Sequence, residues 1–148
     1  MPKLEFELVP DGVWKDNLRN RISKEAWDFL KADAKRRAGG KCAICGAKTR
    51  KLEAHEKWSY DVNTKTQKLE DILSVCEDCH SVIHIERTEL KGDIERAENH
   101  YMKVNGCTYS EYRQARGRAN DIHRELNEVD EWLLDLTFLK RYVEDETK

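Results

Sequence analysis

Residues 42–84 contain Cys42-Ala-Ile-Cys45, then His55-Glu56, then Cys76-Glu-Asp-Cys79-His80-Ser-Val-Ile-His84. This stretch carries two Cys-x2-Cys pairs, one histidine between them and two histidines after them. The spacing within each pair lets two thiolates reach one tetrahedral Zn²⁺. Two such pairs in one chain predict a structural four-cysteine zinc site, formed by Cys42, Cys45, Cys76 and Cys79.

The chain has five cysteines, and an odd number cannot be paired entirely in disulfides within one chain. No apolar run approaches the length that crosses a bilayer, and the segment after Met1 has no signal-peptide pattern. We therefore expect a cytoplasmic protein without membrane contact, in a reducing compartment where paired cysteines bind metal. A thioredoxin-like redox motif is disfavoured, because there are two pairs and no βαβ pattern. Cys107 lies outside both pairs and is interpreted as an ordinary thiol.

Length and composition favour a single folded domain of the α+β class. The 148 residues are 39% hydrophobic and include 4 Trp, 5 Tyr and 3 Phe, which excludes a mostly disordered chain. We predict one domain over residues 1–148. It has an N-terminal strand and helix in residues 3–38, a core motif at about residues 40–90, and C-terminal helices and a strand in residues 93–140.

Two segments near the ends alternate polar and apolar residues, which is typical of half-buried strands. The first is residues 4–9, with Leu4, Phe6 and Leu8 on one face, and the second is residues 132–138. We expect them to form a small terminal antiparallel strand pair.

Helical patterns fill much of the remaining chain. We predict helices at about residues 23–38, capped by Ser23, at residues 93–104, and from Thr108 onward. The last of these begins with a Thr108-x-x-Glu111 capping box. Its apolar stripe is Tyr112, Ala115, Ala119, Ile122 and Leu126.

The core motif is predicted to be a hairpin followed by a helix. Two extended runs, residues 51–61 and 66–72, flank a polar turn at residues 62–65, and residues 78–87 look helical. His80 and His84 are four residues apart and therefore lie on one helix face. A zinc site joining hairpin to helix would let both converge with His55 on a second metal ion.

Charge is distributed unevenly along the chain. Residues 15–51 have a balance of +8, whereas residues 121–148 have a balance of −5. Basic side chains before and around the first cysteine pair could bind a phosphate backbone, and the alternative interpretation is a solvated helix face. The candidate nucleic-acid-binding residues are Arg19, Arg21, Lys35, Arg36, Arg37, Lys41, Lys48, Arg50 and Lys51.

Taken together, these residues resemble the HNH, or ββα-metal, nuclease superfamily, in which a hairpin and a following helix hold a divalent cation against the scissile phosphate. Nearly the whole chain looks like a group of bacterial and phage proteins identified as HNH endonucleases. The residues that carry the resemblance are Trp14...Asn17-Leu-Arg19, Trp27, Cys42-x-x-Cys45-Gly, His55-Glu-x-Trp58-x-Tyr-Asp61, Gln67-x-Leu69, Cys76-x-x-Cys79-His-x-x-x-His84-Ile, Val104-Asn-Gly106 and Trp132-x-Leu-Asp-Leu136.

The resemblance implies a metal-dependent DNA endonuclease with a zinc-stapled ββα-metal core and added helices. It assigns His55, His80 and His84 to a catalytic divalent cation such as Mg²⁺, Mn²⁺, Ni²⁺ or Zn²⁺. The position after His55, where the family usually carries the histidine that deprotonates water, is Glu56, which is a weaker base unless its site raises its pKa. The family's middle asparagine falls near Asp71. The implied catalytic residues are therefore His55, Glu56 and Asp71.

These departures leave other roles open for His55 and Glu56. His55 could itself be the base, with the metal held by His80, His84 and an acid. Strand alternation places His55 and Glu56 on opposite faces, so Glu56 needs a bulge to act as the base. Its other interpretation is a structural carboxylate that supports an imidazole or pairs with a nearby cation.

Two further functional interpretations stay open at this stage. The chain could be a catalytically impaired module that binds nucleic acid, or one that binds a protein partner through its acidic C-terminal segment, as a phage-encoded inhibitor would. It could also be a structural zinc protein whose histidines are incidental. DNA or RNA preference, base specificity and oligomeric state do not follow from the sequence.

Overall fold

A computed structural model describes residues 3–13 and 18–142 of the chain. These residues contain helices and a small three-stranded sheet, which confirms the predicted α+β class. The elements are α1 (Lys24–Arg37), β1 (Leu52–Asp61), β2 (Thr66–Cys76), α2 (Glu77–Ile83), α3 (Ile85–Leu90), α4 (Ile94–Asn105), α5 (Tyr109–Leu126) and β3 (Leu133–Asp135). Short 3₁₀ turns lie at Asp11–Val13, Leu18–Asn20 and Thr137–Leu139.

The predicted hairpin is present, with β1 and β2 paired antiparallel around residues 62–65. Its turn is held by Asp61, whose Oδ1 accepts hydrogen bonds from the backbone amides of Asn63 at 2.9 Å and Thr64 at 3.3 Å. The register of the pair shifts between Lys57 and Trp58 of β1, opposite which Glu70 of β2 has no paired residue, as in a β-bulge. Such a bulge bends and twists the strand locally, which changes the direction of the neighbouring side chains.

The first predicted helix is confirmed as α1. Ser23 caps its start, with the hydroxyl accepting a hydrogen bond from the Ala26 amide at 3.1 Å, and Gly39 follows its end with a φ of 67°. The buried face is Trp27, Leu30 and Ala34. This face packs with Leu69 and Ile72 of β2, and burying each of those two side chains stabilises the fold by about 1.5–3 kcal/mol.

The prediction of an N-terminal strand is wrong. Residues 4–9 belong to no strand, and the Glu7 amide donates to the Ile83 carbonyl of α2 at 2.8 Å. Asn105 holds the segment by accepting from the Leu4 amide and donating to the Leu4 carbonyl, both at 2.9 Å. Phe6 stacks on Tyr101 at 4.8 Å between ring centroids. The alternating pattern therefore reflects packing of one face into the core, without a strand partner.

The predicted terminal antiparallel strand pair is also wrong. β3 is limited to Leu133–Asp135 and pairs in parallel with the first residues of β2, Thr66, Gln67 and Lys68. The sheet order is β1-β2-β3, so β1 lies at one edge. The remaining apolar residues of the predicted strand, Leu136 and Phe138, pack against the α1 side of the sheet.

The helix expected at residues 78–87 is broken at His84, which has a φ of −101° and a ψ of 54°. α2 ends before His84 and α3 begins after it. The cap of α2 is Cys76, whose sulfur accepts a hydrogen bond from the Cys79 amide at 3.4 Å. The last cysteine pair therefore forms the first turn of the helix that carries His80.

The two later helices match their predicted positions closely. α4 ends at Gly106, which has a left-handed φ of 62°, and α5 begins with the full capping box of Thr108 and Glu111. The predicted stripe of α5 is confirmed only in part, because Tyr112 and Leu126 are buried whereas Ile122 is 55% exposed.

Two groups of buried residues lie on opposite parts of β2. One lies under α1, and the other joins the end of β2 to α2, α4 and α5 and contains Cys42, Cys76 and Cys79. Among the described residues, no helix is long and apolar enough to cross a membrane.

Candidate metal centre

The four predicted zinc cysteines come together in the structure. The Sγ atoms of Cys42, Cys45, Cys76 and Cys79 all lie within 4.8 Å of one another, and three of the four residues are buried. The loop that carries the first pair is closed by a hydrogen bond from the Cys42 amide to the Ala47 carbonyl at 3.0 Å. Four thiol groups at this distance can hold one metal ion.

Backbone amides and thiols support the sulfur atoms of this cluster. The Cys45 amide lies 3.5 Å from Cys42 Sγ and the Cys79 amide 3.4 Å from Cys76 Sγ, the same relation in each Cys-x2-Cys pair. A hydrogen bond from the Cys79 thiol lowers the pKa of Cys42 to about 4. Burial raises the pKa of Cys76 to about 11, and the bond to Cys42 raises that of Cys79. Ionisation of Cys42 therefore disfavours ionisation of Cys76 and Cys79, unless a cation compensates the negative charge.

His100 of α4 also contacts this cluster, and nothing in the sequence pattern predicted it. Its Nε2 lies 3.2 Å from Cys79 Sγ. An imidazole in this position can donate a hydrogen bond to a ligating sulfur. Cys107 lies apart from the cluster and packs against the same core.

The three predicted metal-binding histidines form a second group. His55 comes from β1, His80 from α2 and His84 from the break between α2 and α3. Their ring centroids are 4.9–5.5 Å apart, and one nitrogen from each lies within 4.8 Å of the others. The break in the helix therefore leaves the predicted convergence intact.

Two of these imidazoles each contact a carboxylate through one ring nitrogen. Glu7 Oε2 lies 2.7 Å from His55 Nε2, and Glu53 Oε1 lies 2.9 Å from His80 Nδ1. When each carboxylate accepts the proton on the nitrogen that it contacts, the lone pair remains on His55 Nδ1 and on His80 Nε2. This is the usual arrangement around metal-binding histidines, in which a carboxylate fixes the tautomer and the ring orientation.

Burial keeps two of the imidazoles neutral, which is the form that binds metal. Loss of solvation lowers the pKa of His84 to about 2, with further contributions from His80 and His55. Burial also lowers the pKa of His80, partly opposed by Glu53.

A cavity of about 100 Å³ borders the three histidines. Glu56 lies in its wall, although strand alternation predicted that Glu56 and His55 face opposite ways. Glu56 Oε1 accepts from the Leu18 amide at 2.8 Å and from Trp58 Nε1 at 3.2 Å. Its Oε2 is buried and has no hydrogen-bond partner in the described part of the chain. Arg19 and Arg87 add positive charge to the same wall.

Glu7 reaches the site by covering the free edge of β1. Besides contacting His55, its carboxylate accepts a hydrogen bond from the Trp58 amide at 3.1 Å, next to the bulge. The alternating pattern indicated that Leu4, Phe6 and Leu8 face inward, so Glu7 was not expected in a site. Glu53 had a usable signal, because it precedes His55 by two residues and shares its strand face.

Asp71 is placed away from the histidines. Its Oδ1 lies 3.4 Å from Arg37 Nη1 of α1 and accepts from the Ile72 amide at 2.8 Å. Asp71 does not belong to the wall of the histidine cavity.

The nine candidate DNA-binding residues are exposed but dispersed. Arg36 and Arg37 are both bound to Asp33, and Arg37 also donates to the Ile72 carbonyl at 3.0 Å. Arg19 borders the histidine cavity, whereas Lys51 borders a different cavity beside the cysteines. Trp14 and Asn17, which contribute to the nuclease resemblance, and the acidic residues 144–146 lie outside the described residues.

No protein family model matches the chain. Comparison with curated proteins and with solved structures also gives no match. The nuclease resemblance therefore remains an expectation from the residues. Any function must be argued from the geometry of the two clusters.

Proposed function

We propose that the chain is a metal-dependent endonuclease of the HNH type, which hydrolyses phosphodiester bonds of DNA at His55, His80 and His84. The observation that carries the proposal is the convergence of these imidazoles beside a small cavity that arginine side chains also border. Three protein ligands from a hairpin and a following helix leave coordination positions open for phosphate and water.

The residues present fit a divalent cation. Neutral imidazoles suit Zn²⁺, Ni²⁺ and similar ions, and Glu7 and Glu53 supply the outer hydrogen bonds that such ligands need. When bound, the cation would act as a Lewis acid on the phosphate and stabilise the leaving oxygen. The chain's own part is to fix the three rings and to keep the site small and partly enclosed.

Glu56 is the candidate proton acceptor. Two donors hold its Oε1, so the carboxylate has a fixed orientation, and its buried Oε2 is the oxygen without a hydrogen-bond partner in the described part of the chain. A carboxylate in this position can take a proton from an attacking water at neutral pH. Asp71 has no such role in this proposal, because its carboxylate contacts Arg37 of α1 and does not border the histidine cavity.

The cysteine cluster is proposed to bind a structural Zn²⁺. Its sulfur atoms join the loop after α1, the end of β2 and the start of α2, and three of the four residues belong to the core. A closed site of four cysteines contributes its binding energy directly to folding. The ion would thus hold the hairpin against the helix that carries His80.

The test is a plasmid cleavage assay with zinc-loaded protein over a series of Mg²⁺, Mn²⁺, Ni²⁺ and Zn²⁺. We expect nicking with at least one ion, loss of nicking in His84→Ala and in His80→Ala/His84→Ala, and its retention in His123→Ala, whose ring lies outside the cluster. Absence of cleavage with every ion and with several DNA substrates would refute the proposal, as would undiminished cleavage by the double variant.

A second candidate is a module of the same scaffold that binds nucleic acid without cutting it. The observation in its favour is that both positions that depart from the nuclease pattern are used in internal contacts, Glu56 with Leu18 and Trp58 and Asp71 with Arg37. A salt-sensitive gel shift of DNA by protein that never cleaves would favour this candidate, because phosphate contacts release counterions. A partner recovered with the chain, without any DNA binding at low salt, would favour a protein-binding role.

A further inference from the structure

A cavity of about 590 Å³ lies beside the cysteine cluster, with Cys45 and Cys76 in its wall. Its sides come from the N-terminal segment, the residue before β1, the start of α2 and one face of α4. None of the residues in this wall belongs to the histidine group. It is therefore a separate surface that needs its own explanation.

Basic side chains outnumber acidic ones in the wall of this cavity. Lys3, Lys51, Arg96 and Lys103 lie there with two carboxylates, Glu77 and Asp78. Arg96 pairs with Asp78 through two contacts, at 2.8 and 3.2 Å, which leaves three lysines facing Glu77 and the cysteine cluster. Four thiolates around one Zn²⁺ would give that cluster a net charge of about −2, spread over sulfur atoms that backbone amides support. In the described part of the chain the ammonium groups of Lys3, Lys51 and Lys103 have no ion pair, which leaves them available to an anion.

Two arginines of α1 differ from these lysines in how their charge is used. Arg36 and Arg37 share Asp33, and Arg37 is also close to Asp71. Their charge is therefore largely compensated inside the chain. Of the nine basic residues that the sequence assigned to DNA, Lys51 is the one that borders this cavity.

We propose that this cavity binds the phosphodiester backbone of the DNA substrate and is the principal DNA-binding surface of the chain. The inference rests on the proposed function and deepens it by locating where the DNA is held. The three lysines come from separate parts of the chain and are all exposed, which suits an extended polyanion better than a single enclosed phosphate ion.

The cavity is close enough to the histidines for one DNA molecule to reach both. Lys51 directly precedes β1, and His55 follows four residues later, so about 13 Å of extended strand separates them. A DNA strand advances about 3.4 Å along the axis per nucleotide, so this distance corresponds to roughly four nucleotides. Asp78 in the wall is also only two residues before His80 on α2.

The experiment measures DNA affinity against salt concentration, by fluorescence anisotropy of a labelled duplex with zinc-loaded full-length protein and no added divalent cation. The variant is Lys51→Ala/Lys103→Ala. The matched control is Lys24→Ala/Lys31→Ala, which removes two exposed lysines from α1 that are not among the candidate DNA-binding residues. Each lost phosphate contact reduces the slope of log K against log salt by about 0.9, so the cavity variant should lose about 1.8. This corresponds to a loss of affinity of up to about 60-fold at 0.1 M salt.

The expected result is a reduced slope in the cavity variant and an unchanged slope in the α1 control, with wild-type zinc content and circular dichroism in both. A wild-type slope in the cavity variant, or an equal loss in the control, would overturn the inference. Lys103→Ala alone should lose about half of the effect. Cleavage with an unchanged slope in the cavity variant refutes this inference and leaves the nuclease proposal standing. A reduced slope in protein that never cleaves supports the inference and refutes the nuclease proposal.

Discussion

Replacing Glu7 by glutamine tests whether the second cluster is built for metal. Glu7 and His55 are paired at 2.7 Å with side chains only 14% and 4% exposed, so water cannot readily replace the carboxylate. In Glu7→Gln the amide oxygen can still accept from the Trp58 backbone. The amide nitrogen then faces His55 Nε2 and, as a donor, requires that nitrogen to accept. The proton moves to Nδ1, which removes the lone pair that would bind the ion.

The expected loss of metal affinity follows from the role of the Glu7 carboxylate, which fixes the tautomer of a metal-binding histidine. Removing such an outer carboxylate typically weakens metal affinity about 10–100-fold, or about 1.4–2.7 kcal/mol. The fold itself should change little, because the substituted side chain has the same shape. Isothermal titration of zinc-loaded protein with Ni²⁺ at pH 7.5 measures the dissociation constant of the second ion directly.

Glu5→Gln is the matched control, since Glu5 is an exposed carboxylate two residues away on the same segment. We expect it to bind the second ion with wild-type affinity. The proposed role of Glu7 is refuted if Glu7→Gln binds Ni²⁺ as tightly as the wild type does. It is also refuted if Glu5→Gln weakens Ni²⁺ binding as much as Glu7→Gln does.

Three further perturbations address the cysteines, Asp71 and the titration of His84. Cys79→Ser should lose the ion of the cysteine cluster and much of its circular dichroism, because Cys79 is fully buried, whereas Cys107→Ser should keep that ion. Equal metal content in the two variants would contradict this. Asp71→Asn should lower the free energy of unfolding by about 0–1 kcal/mol and leave cleavage unchanged, because Asp71 forms only a partly exposed ion pair with Arg37. Loss of cleavage at wild-type stability would instead assign Asp71 a catalytic role. Because burial lowers the pKa of His84 to about 2, the unfolded chain takes up a proton below pH 6.5 that the native chain does not. In urea unfolding without a second ion, the free energy of unfolding should therefore fall by about 1 kcal/mol between pH 6.5 and 5.5, and His84→Gln should not show this fall. The same pH dependence in the wild type and in His84→Gln would contradict the prediction.

Local signals in the sequence predicted the elements that depend on near neighbours. Ser23 and Gly39 limit α1, and the capping box of Thr108 and Glu111 begins α5. The cysteine pairs could also be read directly, because their spacing is set by the geometry of a metal ion. These predictions needed no knowledge of what packs against each segment.

Features that depend on distant partners were not predictable in the same way. The alternation of residues 4–9 is the same whether the segment joins a sheet or lies against Tyr101 and the α2 backbone, as it does here. Glu7 could not be assigned to His55 before the path of that segment was known. The register shift opposite Lys57 and Trp58 could not be located from the sequence. Strand alternation alone turned Glu56 away from His55, whereas both residues border the same cavity.

We propose that His55, His80 and His84 form a second metal site, separate from the cysteine cluster. The number of ions per chain, measured by metal analysis of protein equilibrated with Zn²⁺ or Ni²⁺ and freed of unbound ion, distinguishes one site from two. We predict two ions per chain in the wild type and in His123→Ala, and one in His80→Ala/His84→Ala. A single ion in the wild type under every condition, or two ions in the double variant, would contradict the claim.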